Sequence, residues 1–349
     1  MEPLRQGPPR VLMIRFGAMG NGLVAVPAIR ALRRAWPEAF LALAGDPLTL
    51  ELLGPCPYLD EFIRYDRKGP EGFGRGYSRF ILGLRRRRFT HVIHFRRYLR
   101  SELIGLFSGA PTRVGFKTEA RLQFLTVKVQ YAEGENVIEQ DLKLVRALGV
   151  AADDRCLEYW PAQDSARVAE ALARVRGQGP LVVIHPAGST QRGRLWTGFP
   201  ELAQRIRDDL DARIVMIGAE SERVLVQEAA RAISPEAVTA VGFSLPEVAE
   251  LIRRADLFAG TDSGPAHLAD AVGTSGAILY APHRGLHAQL RKWKPEGEKY
   301  LAFIPPRDCS ECAEDPCAPD RQKQCASAIS AAEVAQGLER LYSSAQRAG

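Results

Sequence analysis

Hydrophobic positions in this chain fall in short continuous runs separated by stretches with helical spacing. Residues 10–16 (Arg-Val-Leu-Met-Ile-Arg-Phe) form the first run, Phe40 to Ala44 the second and Val92 to Phe95 another. Short apolar runs bounded by Gly, Pro or Asp are the pattern of strands buried on both faces. Between the first two, Leu23 to Ala35 is amphipathic at helical spacing, with Pro27 early in it. After Gly177-Gln178-Gly179-Pro180 the pattern restarts, with runs at 181–184, 213–217, 238–241, 256–259 and 276–280. Strands alternating with helices predict parallel sheets covered on both faces, an α/β chain. Ser330 to Tyr342 reads as a closing amphipathic helix in which Ser330 and Glu333 form a capping box.

The change of character between residues 151 and 178 marks a domain junction. With 349 residues the chain has room for two ordinary domains. The division expected is 1–165, 178–328 and a terminal helical segment 329–349. No apolar run approaches the ~20 residues needed to span a bilayer, and the N-terminus has no apolar signal-peptide core. A cytoplasmic location is therefore expected. Charge is uneven. Residues 1–150 hold 24 Lys and Arg against 14 Asp and Glu, a net +10, which leaves −4 of the overall +6 for the rest. The arginines at 85–88, 96, 97 and 100 suit an anionic partner. No nucleic-acid recognition module is present, so a phosphorylated glycolipid at an anionic membrane surface fits better.

Two turns carry the chemistry. The run ending at Gly260 passes into Thr261-Asp262-Ser263-Gly264-Pro265 and then a helix through Ala266, Leu268, Ala269 and Val272. Ser263 suits an N-cap and Pro265 the first helical turn. Free N–H groups at such a helix start favour a phosphate, with Asp262 and His267 beside it. Upstream, the strand 181–184 leads into His185-Pro186-Ala187-Gly188-Ser189-Thr190, a second turn of the same construction. The pair predicts a nucleotide site with a diphosphate between the turns. A dehydrogenase is disfavoured, because the first glycine-rich turn lacks G-x-G-x-x-G and no ribose-binding acid follows at the usual distance.

Together these motifs resemble glycosyltransferase family 9, the heptosyltransferases of the lipopolysaccharide inner core. The likeness rests on IRFGAMGNGLVAVPAIRALRRAWP at 14–37, IHPAGST with Arg194 and Trp196 after it, IGAESE at 217–222 and TDSGPAHLADAVG at 261–273. It implies a GT-B fold, two Rossmann-like domains facing across a central cleft, with the terminal helix crossing back to the first. It implies inverting transfer from ADP-heptose, or a similar nucleotide sugar, to an anionic glycolipid at the cytoplasmic face of the inner membrane, with no cofactor required for catalysis. Ser189, Thr190, Arg194, Glu220, Asp262, Ser263, Gly264 and His267 match donor-binding positions. Arg194 stands where many members carry Lys and keeps a cation near the departing diphosphate, whose negative charge it would stabilise.

The departure lies at Asn21. The family's turn carries Asp there, in the place of the general base, and Asn takes up no proton at neutral pH. Asn21 is read locally as a helix N-cap, where Asn and Asp perform alike. Asp46 is the nearest carboxylate that could stand in. The readings carried forward are an impaired transferase, a nucleotide-sugar-binding pseudoenzyme, and a heptosyltransferase with a protein acceptor. His283 and His287 are further candidates for contact with the diphosphate. Cys309, Cys312, Cys317 and Cys325 are spaced for a structural zinc site, with free thiols and disulfides as the alternatives.

Overall fold

The computed structural model describes residues 7–17, 19–118, 124–161, 163–188, 196–234, 237–280, 286–293, 299–305 and 325–348. The chain divides into two compact units, Met1–Glu158 and Tyr159–Gly349. In the first, six strands are β1 (Arg10–Ile14), β2 (Phe40–Gly45), β3 (Glu61–Arg64), β4 (His91–His94), β5 (Thr112–Phe116) and β6 (Val127–Val129). They pair in parallel in the order β3-β2-β1-β4-β5-β6. The runs read from sequence become β1, β2 and β4. The lateral strands β3, β5 and β6 escape that reading, because each keeps half-buried or polar positions and shows no continuous apolar run.

Leu12, Ile14, Ala42, Ala44 and Val92 share one core with Phe80 and Leu84 of α4 (Gly74–Arg86) and Ile104 of α5 (Leu99–Ser108). The single helix expected over 23–35 is two: α1 (Met19–Leu23) and α2 (Val26–Ala35). Proline has no N–H to continue the ladder, so Pro27 belongs to the first turn of α2 and the chain bends over Val24 and Ala25. The remaining helices of this unit that bear on the site are α3 (Pro47–Leu53) and α6 (Val137–Arg146).

The second unit repeats the plan with β7 (Leu181–His185), β8 (Arg213–Gly218), β9 (Val238–Val241), β10 (Leu257–Thr261), β11 (Gly276–Leu279) and β12 (Tyr300–Phe303). Their parallel order is β12-β11-β10-β7-β8-β9. Helix α7 (Ala166–Ala173) lies against β9 and α10 (Leu245–Arg253), and the contact boundary at residue 158 falls inside the stretch 151–178 read as the junction. Helices α8 (Phe199–Leu210) and α9 (Arg223–Arg231) follow β7 and β8, and α11 (Gly264–Val272) and α12 (Leu286–Trp293) lie further on. The terminal helix α13 (Ala331–Ala348) runs six residues beyond its expected end. It buries Val334 and Leu338 in one cluster with Phe199 and Leu202 of α8. Half of its capping box forms: Ser330 Oγ accepts from the Glu333 N–H at 3.4 Å.

In each sheet the strand order reverses at the centre, between β1 and β4 and between β7 and β10. Ligands of open parallel sheets bind outside the carboxyl ends of the strands at such a reversal. The glycine-rich turn after β1 stands at the first of these points. Both turns singled out in the second half stand at the other.

Candidate active site

In the second unit β7 and β10 are direct neighbours, with Gly260 opposite His185. The two small-residue turns are thereby brought side by side. Thr261 Oγ1 donates to the Ala187 carbonyl at 2.6 Å and ties one turn to the other. Gly188 packs against this bond, where an added Cβ would lie 2.8 Å from Thr261 Oγ1. Ser263 occupies the N-cap position of α11 with extended backbone, as expected, but its hydroxyl does not cap the helix. It bonds to the Thr261 carbonyl (3.1 Å) and lies 3.2 Å from His185 Nδ1. The start of α11 therefore carries no side-chain cap from Ser263, a condition under which a helix start takes an anion.

Behind the turns runs a polar chain that sequence reasoning missed. Glu222 Oε2 accepts from the Ala219 N–H (2.8 Å) and lies 3.3 Å from His185 Nε2. A carboxylate can only accept, so His185 Nε2 is the donor toward Glu222. Burial would raise the Glu222 carboxyl, but its bonds from His185 and Ala219 bring it below the usual carboxylate range. The chain fixes the ends of β7, β8 and β10 relative to one another. Its signal in the sequence was a Glu four residues past the end of an apolar strand, a spacing that lets the carboxylate reach back to the Ala219 N–H.

Glu220 is exposed and forms a two-pronged pair with Arg223, both bonds 2.6 Å. That pair lowers its carboxyl pKa. Its Oε2 lies where a side chain at Gly242 would project, 2.6 Å from an ideal Cβ, and Gly242 has a φ of +70° that favours glycine. His267 sits in the first turns of α11, buried, with its ring edge-on to Trp293 at 5.7 Å. Ser189, Thr190, Arg194 and His283 lie outside the described residues, as does the side chain of His287. Trp196 is buried and donates Nε1–H to the Ile329 carbonyl at 3.1 Å, anchoring the chain where it enters α8. Of the four clustered cysteines only Cys325 is described, as a partly buried free thiol. Among the described residues no three His, Cys, Asp or Glu side chains come together as a metal site.

In the first unit Asn21 is the third residue of α1, not its N-cap. The correction follows from the turn. Gly17, with a φ of +132°, reverses the chain early enough for helix to begin at Met19. An added Cβ on Gly17 would fall 2.5 Å from Asn21 Nδ2. The Asn21 Oδ1 accepts from the Arg96 guanidinium, which follows β4 across the reversal point. The Asn21 backbone carbonyl accepts from Arg15 Nε at 2.5 Å. Arg15 is fully buried and pairs with buried Asp141 of α6 through Nη1, at 2.8 and 3.1 Å. Burial pushes the Arg15 pKa down and the Asp141 pKa up, against their mutual attraction. Asp46 also touches the turn. Its Oδ2 accepts from the Gly17 N–H at 2.8 Å, while Oδ1 caps α3 through the Thr49 N–H and hydroxyl, both 2.9 Å. Both oxygens therefore already hold backbone in place.

Two buried histidines set an acid limit on stability. His94 is buried and, among the described residues, has no hydrogen-bond partner on either ring nitrogen; burial, with the nearby charge of Arg113, holds its pKa down to about 3. Burial holds His267 down to about 4. Both are neutral in the folded chain at pH 7 and take up protons on unfolding below about pH 6.5. Stability is thus undiminished above pH ~6.5 and falls as the pH drops toward 4, by up to about 1.4 kcal/mol per unit for each ring. The raised Asp141 carboxyl opposes part of this loss. Urea unfolding of wild type and His94→Leu between pH 7 and 5 measures it. The variant is expected to lose less stability on acidification, and parallel losses would refute the assignment.

Comparison with known proteins decides the family. The sequence pattern of glycosyltransferase family 9 (heptosyltransferase) matches residues 77–323, more than half of the chain. The chain belongs to glycosyltransferase family 9. It is a glycosyltransferase, with the two-sheet architecture of the GT-B fold. The lipopolysaccharide core heptosyltransferase OpsX of Haemophilus influenzae is 22% identical over 294 residues, 82% of this chain and 83% of that protein. The family 9 glycosyltransferase structure from Veillonella parvula superposes with a TM-score of 0.80 at 18% identity, covering 96% of this chain and 97% of that one. Escherichia coli heptosyltransferase WaaC, solved with ADP, gives a TM-score of 0.71 at 18% identity over 95% and 99% of the two chains. Among the described residues no helix is long and apolar enough to cross a membrane.

Proposed function

We propose that this chain moves heptose from ADP-heptose to an anionic lipopolysaccharide inner-core acceptor, with inversion at the anomeric carbon. The observation that carries the reading is the pairing of two small-residue turns at the reversal point of the second sheet, beside an α11 start with no side-chain cap. That construction suits a nucleoside diphosphate, and WaaC in its solved form holds ADP. Asp262, Ser263, Gly264 and His267 lie on the second turn. Ser189, Thr190 and Arg194 continue the first in sequence and are assigned to the diphosphate with it. Glu220 is assigned to the ribose or adenosine. His267, neutral by burial, acts as a hydrogen-bonding group rather than a cation.

On this reading a hydroxyl of the acceptor attacks the anomeric carbon of the donor, ADP departs and the acceptor proton leaves to a base. Arg194 and the turn amides stabilise the charge that develops on the diphosphate. Asn21 stands in the base position but takes up no proton. On this reading the acceptor is lipid-linked and the protein works at the cytoplasmic face of the inner membrane; among the described residues no helix is long and apolar enough to cross it. Asn21 itself favours a second reading, a nucleotide-sugar-binding protein that retains the donor site and performs no transfer. ADP release and sugar transfer to a heptose-deficient core separate the two: donor binding with no transfer by any form supports the second.

The donor turns give an independent check. Gly188→Ala forces a methyl against Thr261 Oγ1 and must reopen the contact between the turns. Such overpacking typically costs about 1–3 kcal/mol. ADP affinity measured by calorimetry is expected to fall roughly tenfold or more, at about 1.4 kcal/mol per tenfold. Unchanged affinity would remove the turn pair from the donor site.

A further inference from the structure

We propose that the outer face of α4 and α5 in the first unit is a docking surface for an anionic lipid bilayer. Inward, these helices bury Phe80, Leu84 and Ile104 against the sheet. Outward, α4 presents Arg75, Arg79, Arg85 and Arg86 along one exposed side. No carboxylate occurs in α4, and among the described residues no ion pair engages any of these four arginines. The one acid of α5, Glu102, is buried and accepts from the Phe124 N–H at 3.0 Å. This face therefore carries positive charge with nothing on α4 or α5 to balance it.

The same face is also apolar in a way its own unit does not require. Leu99 and Phe107 lie two helical turns apart on α5 and are 54% and 45% exposed, with half-buried Leu103 between them. This spacing ordinarily marks a buried stripe. Leu82 on α4 is 55% exposed, and Phe73, just before α4, is 70% exposed. Arg100 holds Phe73 in place on this side, with its guanidinium 5.2 Å from the ring and its Nε donating to the Tyr65 hydroxyl at 2.7 Å. Arginines interleaved with Leu and Phe on an exposed helical face match the interfacial zone of a membrane. There the cations meet anionic headgroups and the apolar tips enter the acyl boundary. Continuity with the site supports this occupant. The exposed Tyr98 and Leu99 emerge just after Arg96, whose guanidinium holds Asn21. A bilayer on this face would set a lipid headgroup near that turn.

The proposal deepens the reading above and rests on it for why a lipid surface is the partner, but its test needs no turnover. The purified full chain is sedimented with vesicles of phosphatidylcholine alone, or mixed with phosphatidylglycerol, at increasing salt. Binding is expected to the anionic vesicles only, and to weaken with salt. Arg75→Ala with Arg79→Ala should lower partitioning roughly 30-fold, since each basic residue near an anionic surface contributes about 1 kcal/mol. Leu99→Ser with Phe107→Ser, on the other helix, should weaken binding without changing its salt dependence. Absence of vesicle binding, or binding unaffected by both pairs of substitutions, overturns the proposal. So does a wild-type dimer in sedimentation analysis that Leu99→Ser with Phe107→Ser dissolves, since a second copy would then cover the face. Vesicle binding in a protein that transfers no sugar would count against the proposed function and leave the docking surface standing.

Discussion

Asn21→Asp is expected to raise sugar transfer to a heptose-deficient core by about 10²–10⁴-fold, the usual contribution of a positioned general base. The geometry prepares position 21 for a carboxylate. Asn21 Oδ1 already accepts from Arg96, and an Asp oxygen there would accept the same bond. The backbone at 21 is held independently by Arg15 Nε, so the substitution leaves the turn in place. Arg96 would favour the charged form of the new carboxylate, the form that takes the acceptor proton, and its pKa would lie below the ordinary value of about 3.9. The rate of the variant should therefore stay level through neutral pH and fall only in strong acid. ADP affinity should be the same in both forms, since the donor turns lie in the other unit. Steady-state assays of ADP release and product formation, run side by side, make the test. Equal rates would show that position 21 is not the base. The search would then move away from Asp46 as well, because both of its oxygens hold backbone at Gly17 and Thr49.

Asp141→Ala is expected to destabilise the first unit by about 3–5 kcal/mol, the usual cost of leaving a buried charge without its partner. At the size of this unit that corresponds to a fall in melting temperature of roughly 10 °C. Arg15 is the charge left behind. It is fully buried, and among the described residues its Nη2 has no partner and Asp141 provides the one opposite charge it meets. The downward shift of Arg15 and the upward shift of Asp141 both say that desolvation outweighs attraction in this pair. Its presence therefore adds little net stability, whereas its disruption is expensive. Two controls follow. Asp141→Asn, which can still accept from Arg15, should lose less. Arg15→Met with Asp141→Leu should recover most of the stability, because no charge then remains buried, yet lose the bond from Arg15 to the Asn21 carbonyl. Calorimetric melting of all four proteins, together with transfer assays in the Asn21→Asp background, separates the contribution to folding from the positioning of the turn. A double variant no more stable than Asp141→Ala would contradict the account.

The strand runs, the glycine-rich turn after β1 and the two small-residue turns were legible in the sequence because each depends on neighbours close along the chain. An apolar run flanked by Gly or Pro is a strand wherever it packs, and Ser-Gly-Pro opens a helix whatever lies beside it. The family was legible for the same reason, through motifs of local residues in a fixed order. Weak lateral strands such as Glu61–Arg64 and Tyr300–Phe303 were not, since their place is set by the strand they join and not by their own composition. Asn21 was misread as a cap because the start of α1 depends on the reversal at Gly17, two residues outside the helix.

What the tertiary structure alone decided are the partnerships between residues far apart in sequence. Arg15 is a charge at the end of an apolar run, and its partner Asp141 lies 126 residues away in sequence. His185 reads as a turn residue until Glu222 and Ser263 meet its two nitrogens. Leu99 and Phe107 have the spacing of a buried stripe, yet α5 lies on the sheet with that side outward. The sequence by itself determined the central strands and the turns that end them, because hydrophobic periodicity and turn chemistry act over a few residues. Which polar groups are buried together, and which apolar ones are left facing out, follows from strand order and helix placement, and these are set only when the whole sheet assembles.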